Sequence, residues 1–435
     1  MNVLKRKNSL ILIFVFLSGF VFPQNKITPV ERQAREIMKF FADPTGNDKL
    51  FAKSFLNQVP ANKLNEIFKQ YYSMCGACTK IEPVKVTTDY AGKYDFFFEK
   101  NTTVTVTIGV ESEEPNLINS LFFAAPVIMF SEDLDLLNTI ASLPGKAACT
   151  LNILVKNGWG LIFGHDCDEH LAIGSAFKLY ILSELLRTVN NSERNWKDYT
   201  ELKKEAVSLP SGILHTKPVG TKITLDSLAS LMISISDNTA TDNLLYLLGR
   251  ENVEKIMPVA GHSKPQINIP FLATNEMFKL KGDPTKTIIN KYLSSVDKRQ
   301  FLKDELSGVK RESFVMWNQP SYIDKVEWFA STNDLCRVME WIKANSENEK
   351  GIHALDILAI NPGINISKEK WSYVGYKGGS EPGVINMTYL LCSKTGKWYS
   401  MSFTWNNPNA SIDTTLFVGI VSGAIKFLEN SSWYK

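Results

Sequence analysis

The chain has little net charge, few cysteines and no long apolar run after its first two dozen residues. Its 48 Lys and Arg stand against 45 Asp and Glu, a formal +3 over 435 residues. No global field therefore draws it to nucleic acid or to an anionic membrane. Of six cysteines only Cys75 and Cys78 lie close together. A structural zinc site needs a second such pair, and none exists. Cys75 and Cys78 read as a local disulfide or as two structural thiols, and Cys149, Cys167, Cys336 and Cys392 are left unassigned. Past residue 22 no segment is apolar enough to cross roughly 30 Å of hydrocarbon. Repeats and low-complexity tracts are also missing. With 44% hydrophobic, 11% aromatic and 21% charged residues, the composition excludes a disordered or fibrous protein and fits a globular one of two or three domains.

What is present starts with Lys5-Arg6-Lys7 followed by the apolar stretch Leu10 to Phe22. That pattern reads as a signal peptide over 1–24, so the mature protein is expected to be exported, periplasmic or secreted, with no integral membrane segment. Loss of those three cations takes the formal charge to zero. Export makes disulfides possible. No Cys follows the apolar stretch, so a lipid-modified N-terminus is not expected.

Residues 25–126 read as a small α+β domain of helices followed by an antiparallel sheet. Amphipathic stretches run over 29–41, 49–56 and 62–73, and Thr28-Pro29 is a good helix start. Then the period changes: Thr102 to Ile108 alternates between β-branched and polar residues, as a half-buried strand does. Residues 127–435 read as a second, α/β domain with an antiparallel sheet flanked by helices. His165-Asp166-Cys167-Asp168-Glu169-His170, between two apolar stretches, reads as a solvated turn rather than a metal site. No metal or cofactor is expected.

The chemistry is signalled by polar residues in apolar surroundings. Gly174 to Leu186 is apolar on nearly every face, so it predicts a helix at the centre of its domain, where Ser175 and Lys178 are costly. Three residues apart, they project from one face. Burial lowers a lysine's pKa and makes it a general base for the hydroxyl. Ser-x-x-Lys also occurs at Ser295, Ser307, Ser367 and Ser432, so context decides. Downstream, Ser236-Asp237-Asn238 interrupts the apolar run Leu231 to Ala240. Ser236 is a candidate proton relay, Asn238 a partner for Lys178 and for a substrate carbonyl, and Asp237 a residue that ties the loop. Further on, Tyr376-Lys377-Gly378-Gly379-Ser380 ends a predicted strand with a cation and small residues: Lys377 is placed to hold an anion, and the glycines let substrate approach the backbone.

Together these elements resemble the class A β-lactamase and penicillin-binding-protein superfamily of active-site serine enzymes, whose signatures are Ser-x-x-Lys, Ser-Asp-Asn and Lys-Thr-Gly in that order. The resemblance covers about 133–427. It implies Ser175 as acylated nucleophile, Lys178 as its base, Ser236 as proton relay, Asn238 as substrate and Lys178 partner, and Lys377 as electrostatic anchor. Gly379 and Ser380 complete the substrate strand, and the backbone N–H groups of Ser175 and Ser380 form the implied oxyanion hole. A literal Lys394-Thr395-Gly396 reads instead as a hairpin turn between two strands.

Two departures bear on activity. Gly378 replaces the signature Thr, with Ser380 a possible substitute, and the Glu-x-x-x-Asn pattern that supplies the deacylating base of class A enzymes does not occur between Asn238 and Lys377. Glu276 is expected to open a helix. The two-part layout, with the stretches Gly174 to Tyr180, Leu231 to Asp242 and Val326 to Ser331, also resembles the two-domain β-lactamase-like proteins of clavulanic acid biosynthetic clusters, whose small domain is cyclase- or isomerase-like. The resulting expectation is an exported serine hydrolase acting on a small-molecule ester or amide. The alternatives are a true β-lactamase, a D-alanyl peptidase and a penicillin- or peptidoglycan-binding module without turnover.

Overall fold

The computed structural model describes residues 27–42, 47–309 and 314–434; the expected signal segment lies outside them. The chain divides into two compact units, one containing 27–97 and 105–123, the other 98–104 and the rest from 124 onward. Among the described residues no helix is long and apolar enough to cross a membrane.

The first unit carries helices α1 (Pro29–Phe40) and α2 (Ala61–Cys75) and all or most of strands β1 (Cys78–Thr88), β2 (Ala91–Phe98), β3 (Thr102–Val110) and β4 (Ile118–Phe123), ordered β1-β2-β3-β4 in the sheet. Thr28 caps α1 by accepting from Glu31 N, as the Thr-Pro start predicts. Phe41, Phe68, Phe96 and Phe123 meet edge to face, an aromatic core in the geometry that ring quadrupoles favour.

The second unit is built on a five-stranded antiparallel sheet. Its strands are β5 (Lys146–Val155), β6 (Gly158–His165), β7 (Trp371–Glu381), β8 (Val384–Ser393) and β9 (Trp398–Asn406), in the spatial order β7-β8-β9-β5-β6. Helices α3 (Asp133–Ala141) and α9 (Thr414–Asn430) cover one face, with Leu136, Phe417 and Val421 packed against Tyr389 and Phe403. On the opposite side lies a helical group that includes α4 (Lys178–Asn190), α5 (Leu225–Ser234), α6 (Asn238–Leu248), α7 (Thr274–Gly282) and α8 (Thr332–Ala344), gathered in the core of Leu182, Met232, Leu244, Phe271 and Val338. Every residue of β8 is buried, as a strand covered on both faces must be. β7 is an edge strand, and this sets the site: its outer side is open for the turn that leads into α4. Lys394-Thr395-Gly396 lies in the turn between β8 and β9, with Gly396 at φ 83°, as expected.

Candidate active site

The turn into α4 is a 3-10 segment over Gly174–Phe177. Its three-residue period stacks residues 175 and 178 on one side more strictly than an α-helix would. Gly174 sits at φ 47°, a conformation glycine adopts without strain. The turn meets β7 at Gly379, where a Cβ would stand 2.2 Å from Ile173 O and 2.3 Å from Ser175 N. Only a residue without a side chain permits this contact. It brings the main chain of Ser175 beside that of Gly379 and Ser380. Aromatic packing fixes the turn from beneath, with Phe177 stacked on Trp328 at a centroid distance of 3.7 Å.

Lys178 is 0% exposed. Its Nζ donates to Ser236 O (2.7 Å), Ser236 Oγ (2.8 Å) and Asn238 Oδ1 (2.8 Å). Burial, and after it the charge of Lys377, hold its pKa well below that of an ordinary lysine. Lys377, also buried, donates to Ser236 Oγ (3.2 Å) and Gly378 O (2.6 Å), and burial pulls its pKa down to about 7. Among the described residues Ser175 Oγ makes no hydrogen bond. It lines a cavity of about 490 Å³ together with Ser236, Asn238, Lys377, Gly379 and Ser380. Seven residues singled out in the sequence thus converge, six on the cavity wall and Lys178 behind it.

The loop that supplies Ser236 and Asn238 is held from two sides. Ser236 has φ 57°, a left-handed conformation uncommon for a residue with a side chain and frequent at functional sites. It turns both its carbonyl and its hydroxyl to Lys178. Asp237 caps α6 through Ala240 N (2.8 Å) and also accepts from Ile213 N (2.6 Å) and Leu214 N (2.9 Å), so it ties the loop. Asn238 donates to Leu209 O at 3.0 Å, which turns its oxygen to Lys178.

Glu276 opens α7, where it accepts from Ala273 N (2.8 Å) and pairs with Arg250 at 2.6 and 2.9 Å. On the cavity wall at this place stands Thr274. Its hydroxyl and N–H both reach Asp242 Oδ1, at 2.8 and 2.7 Å. Burial pushes Asp242 up to about 7.

Two carboxylates given no role in the sequence reading also line the cavity, Glu327 and Glu381. Glu381 was within reach of period-two reasoning, being two residues beyond Gly379 in β7; nothing local points to Glu327. His170, a residue of the expected polar turn, approaches His262 and Asp334. In this cluster Lys264 N donates to His262 Nδ1 (3.1 Å), His262 Nε2 lies 2.8 Å from Phe329 O, and Arg337 pairs with Asp334 at 2.5 Å. Both ring nitrogens of His262 are thus occupied within the protein.

Part of the chain is similar to known proteins. Residues 135–304 match the model of the β-lactamase enzyme family. The match covers less than half of the chain and marks this segment as β-lactamase-like. The β-lactamase SME-1 of Serratia marcescens is 24% identical over 165 residues, 38% of this chain and 55% of that protein, so the chain spans about half the length of the curated relative it matches. Among solved structures, a β-lactamase from Sphaerobacter thermophilus DSM 20745 is 20% identical with a TM-score of 0.47, covering 68% of this chain and 95% of its own. PBP-A is 15% identical with a TM-score of 0.46, over 68% and 96%. A β-lactamase from Chitinophaga pinensis DSM 2588 is 13% identical with a TM-score of 0.48, over 68% and 97%.

Proposed function

We propose that this protein is an exported serine hydrolase that is acylated at Ser175 by small esters or amides, β-lactams included, that carry an anionic group. The observation that carries the reading is the convergence of Lys178 and Lys377 on Ser236 Oγ, beside the contact that seats Ser175 N against Gly379.

The chemistry follows from which amine is charged. Lys178, biased by burial toward the neutral amine, gives up one of its three hydrogen bonds in that form and with the freed lone pair takes the Ser175 hydroxyl proton as Oγ attacks the substrate carbonyl. Negative charge develops on the carbonyl oxygen and is received by the N–H groups of Ser175 and Ser380. Lys377, protonated when an anion neutralises it, holds the substrate's anionic group. As the carbon–leaving-group bond breaks, Ser236 passes the proton from Lys178 to the leaving atom. Water then cleaves the ester on Ser175. Glu276 is committed to Arg250 and has no part in this step, so acyl-enzyme hydrolysis is expected to be slow. That observation favours the second reading, a binder of β-lactams or peptidoglycan peptides that stops at the acyl-enzyme. The basic run Lys5 to Lys7 and the apolar stretch that follows it support export.

Mass spectrometry of the protein after incubation with a penicillin tests the proposal. A persistent adduct on Ser175 supports it, with slow turnover; rapid return to the free mass identifies a true β-lactamase. Wild-type hydrolysis of a chromogenic ester by Ser175→Ala would remove the nucleophile assignment.

A further inference from the structure

On β7 the side chains of Lys377, Gly379 and Glu381 share one parity, and so one face of the strand. Gly379 is the point at which Ser175 meets the strand. Lys377 and Glu381 therefore flank the nucleophile, four residues and about 13 Å apart along the chain. One end of the cavity is cationic. The other end has a different chemistry.

Glu381 and Glu327 both line the cavity, and Lys281 joins them, its Nζ 2.5 Å from Glu327 Oε1 and 2.6 Å from Glu381 Oε1. Lys281 is 0% exposed, while the Glu381 side chain keeps 14% of its surface accessible. Of the cluster's two carboxylates, Glu381 is the more accessible, the Glu327 side chain keeping only 1%. The rings of Phe278 and Trp317 meet at a tilt with centroids 5.3 Å apart, and Lys281 Nζ lies 5.8 Å from the Trp317 ring. One lysine cannot balance two carboxylates, so the cluster holds one negative charge in excess when both are ionised. Burial and the neighbouring Glu327 push Glu381 well above the carboxylate range, which favours a proton on it. A bound cation can take that proton's place.

We propose that Glu381, backed by Glu327 and Lys281, is a specificity-determining residue that selects substrates whose acyl portion carries a primary ammonium group. This inference rests on Ser175 being the nucleophile. With Lys377 receiving an anion on the leaving-group side, the preferred substrate is zwitterionic: an aminoacyl ester or amide, or an amino-substituted β-lactam, with its scissile carbonyl over Gly379. An ammonium reaching Glu381 makes a charge-assisted hydrogen bond in a site shielded from water.

The test uses two substrate pairs that differ by a single amine: benzylpenicillin against ampicillin, and phenylacetyl against phenylglycyl p-nitrophenyl esters. Acylation rates of the full mature chain are read by mass spectrometry for the first pair and by absorbance for the second. Wild type is expected to favour the amine-bearing member about tenfold in rate constant over concentration. In Glu381→Gln that ratio should fall to about one, and in Glu381→Asp it should recover in part. A purely structural Glu381 would slow both members alike and leave the ratio untouched. Equal rates for the two members in wild type, or an unchanged ratio in Glu381→Gln, overturn the proposal while the nucleophile assignment stands. Acylation of Ser175 by none of the four compounds removes both. Should Glu381→Gln fail to fold, Glu327→Gln, which leaves Glu381 as Lys281's undivided partner, is expected to weaken the amine preference; an undiminished preference there also overturns the proposal.

Discussion

Ser236 Oγ is shared by two buried lysines, Lys178 at 2.8 Å and Lys377 at 3.2 Å. Two ammonium groups this close to one oxygen repel, and burial penalises each. The charge of Lys377 lowers the pKa of Lys178, and burial brings Lys377 to about 7. The pair is thus prepared to hold one proton rather than two.

The first prediction concerns pH. Acylation by an anionic ester needs neutral Lys178 and protonated Lys377. Its rate constant over KM should rise with pH through an acid limb as Lys178 loses its proton and fall through an alkaline limb near 7 as Lys377 loses its own. A neutral ester, which makes no use of the charge on Lys377, should lack the alkaline limb. In Lys377→Met the alkaline limb should vanish and the acid limb move to higher pH, because the repulsion on Lys178 is gone. Stopped-flow profiles from pH 5 to 9 decide this.

The second concerns stability. A lysine whose folded pKa lies below its unfolded value of 10.5 destabilises the fold most at and below the folded pKa, and ceases to do so above the unfolded one. Lys377→Met should therefore unfold at a higher temperature than wild type at pH 7, by about 2–4 °C for each kcal/mol relieved. The gap should narrow as pH rises toward 10. Calorimetry at pH 6, 8 and 10 gives the trend, and a constant gap would contradict it.

The third concerns Gly379. A methyl group there would meet Ile173 O and Ser175 N at 2.2 and 2.3 Å, so Gly379→Ala must part the strand from the nucleophile turn. Acylation should slow by about 100-fold, with little change in melting temperature because the sheet edge can move outward.

The fourth concerns Asp237, which accepts from three backbone N–H groups. Asp237→Ala leaves them without partners, two of them outside the helix, and should cost roughly 3 kcal/mol. Denaturant titration should show the loss, and restored binding of substrate by Asp237→Asn would confirm that the carboxylate positions the loop rather than taking part in chemistry.

Much of this site was legible because polar residues in apolar segments are expensive and mark function. Ser175, Lys178, Ser236 and Asn238 each stood out in that way, Lys377 as a cation among small residues at the end of a predicted strand, and the structure brings them together. The edge position of β7 was not legible, since strand order is a property of the whole sheet. Nor was the ion cluster: Lys281 and Glu327 lie in segments without periodicity, and only three-dimensional packing joins them to Glu381. Glu276 opens a helix as expected, but nothing in the sequence signalled that Thr274 stands on the cavity wall in front of Asp242. His170 in the expected polar turn joins His262 and Asp334, residues far away in sequence, and local composition carries no trace of such a meeting.

The left-handed backbone of Ser236 has one further consequence. Because its carbonyl, as well as its hydroxyl, grips Lys178, the address of that amine is written partly in main chain. An alanine at 236 would delete the shuttle for the proton yet leave its destination in place, so transport and placement can be pulled apart at a single side chain.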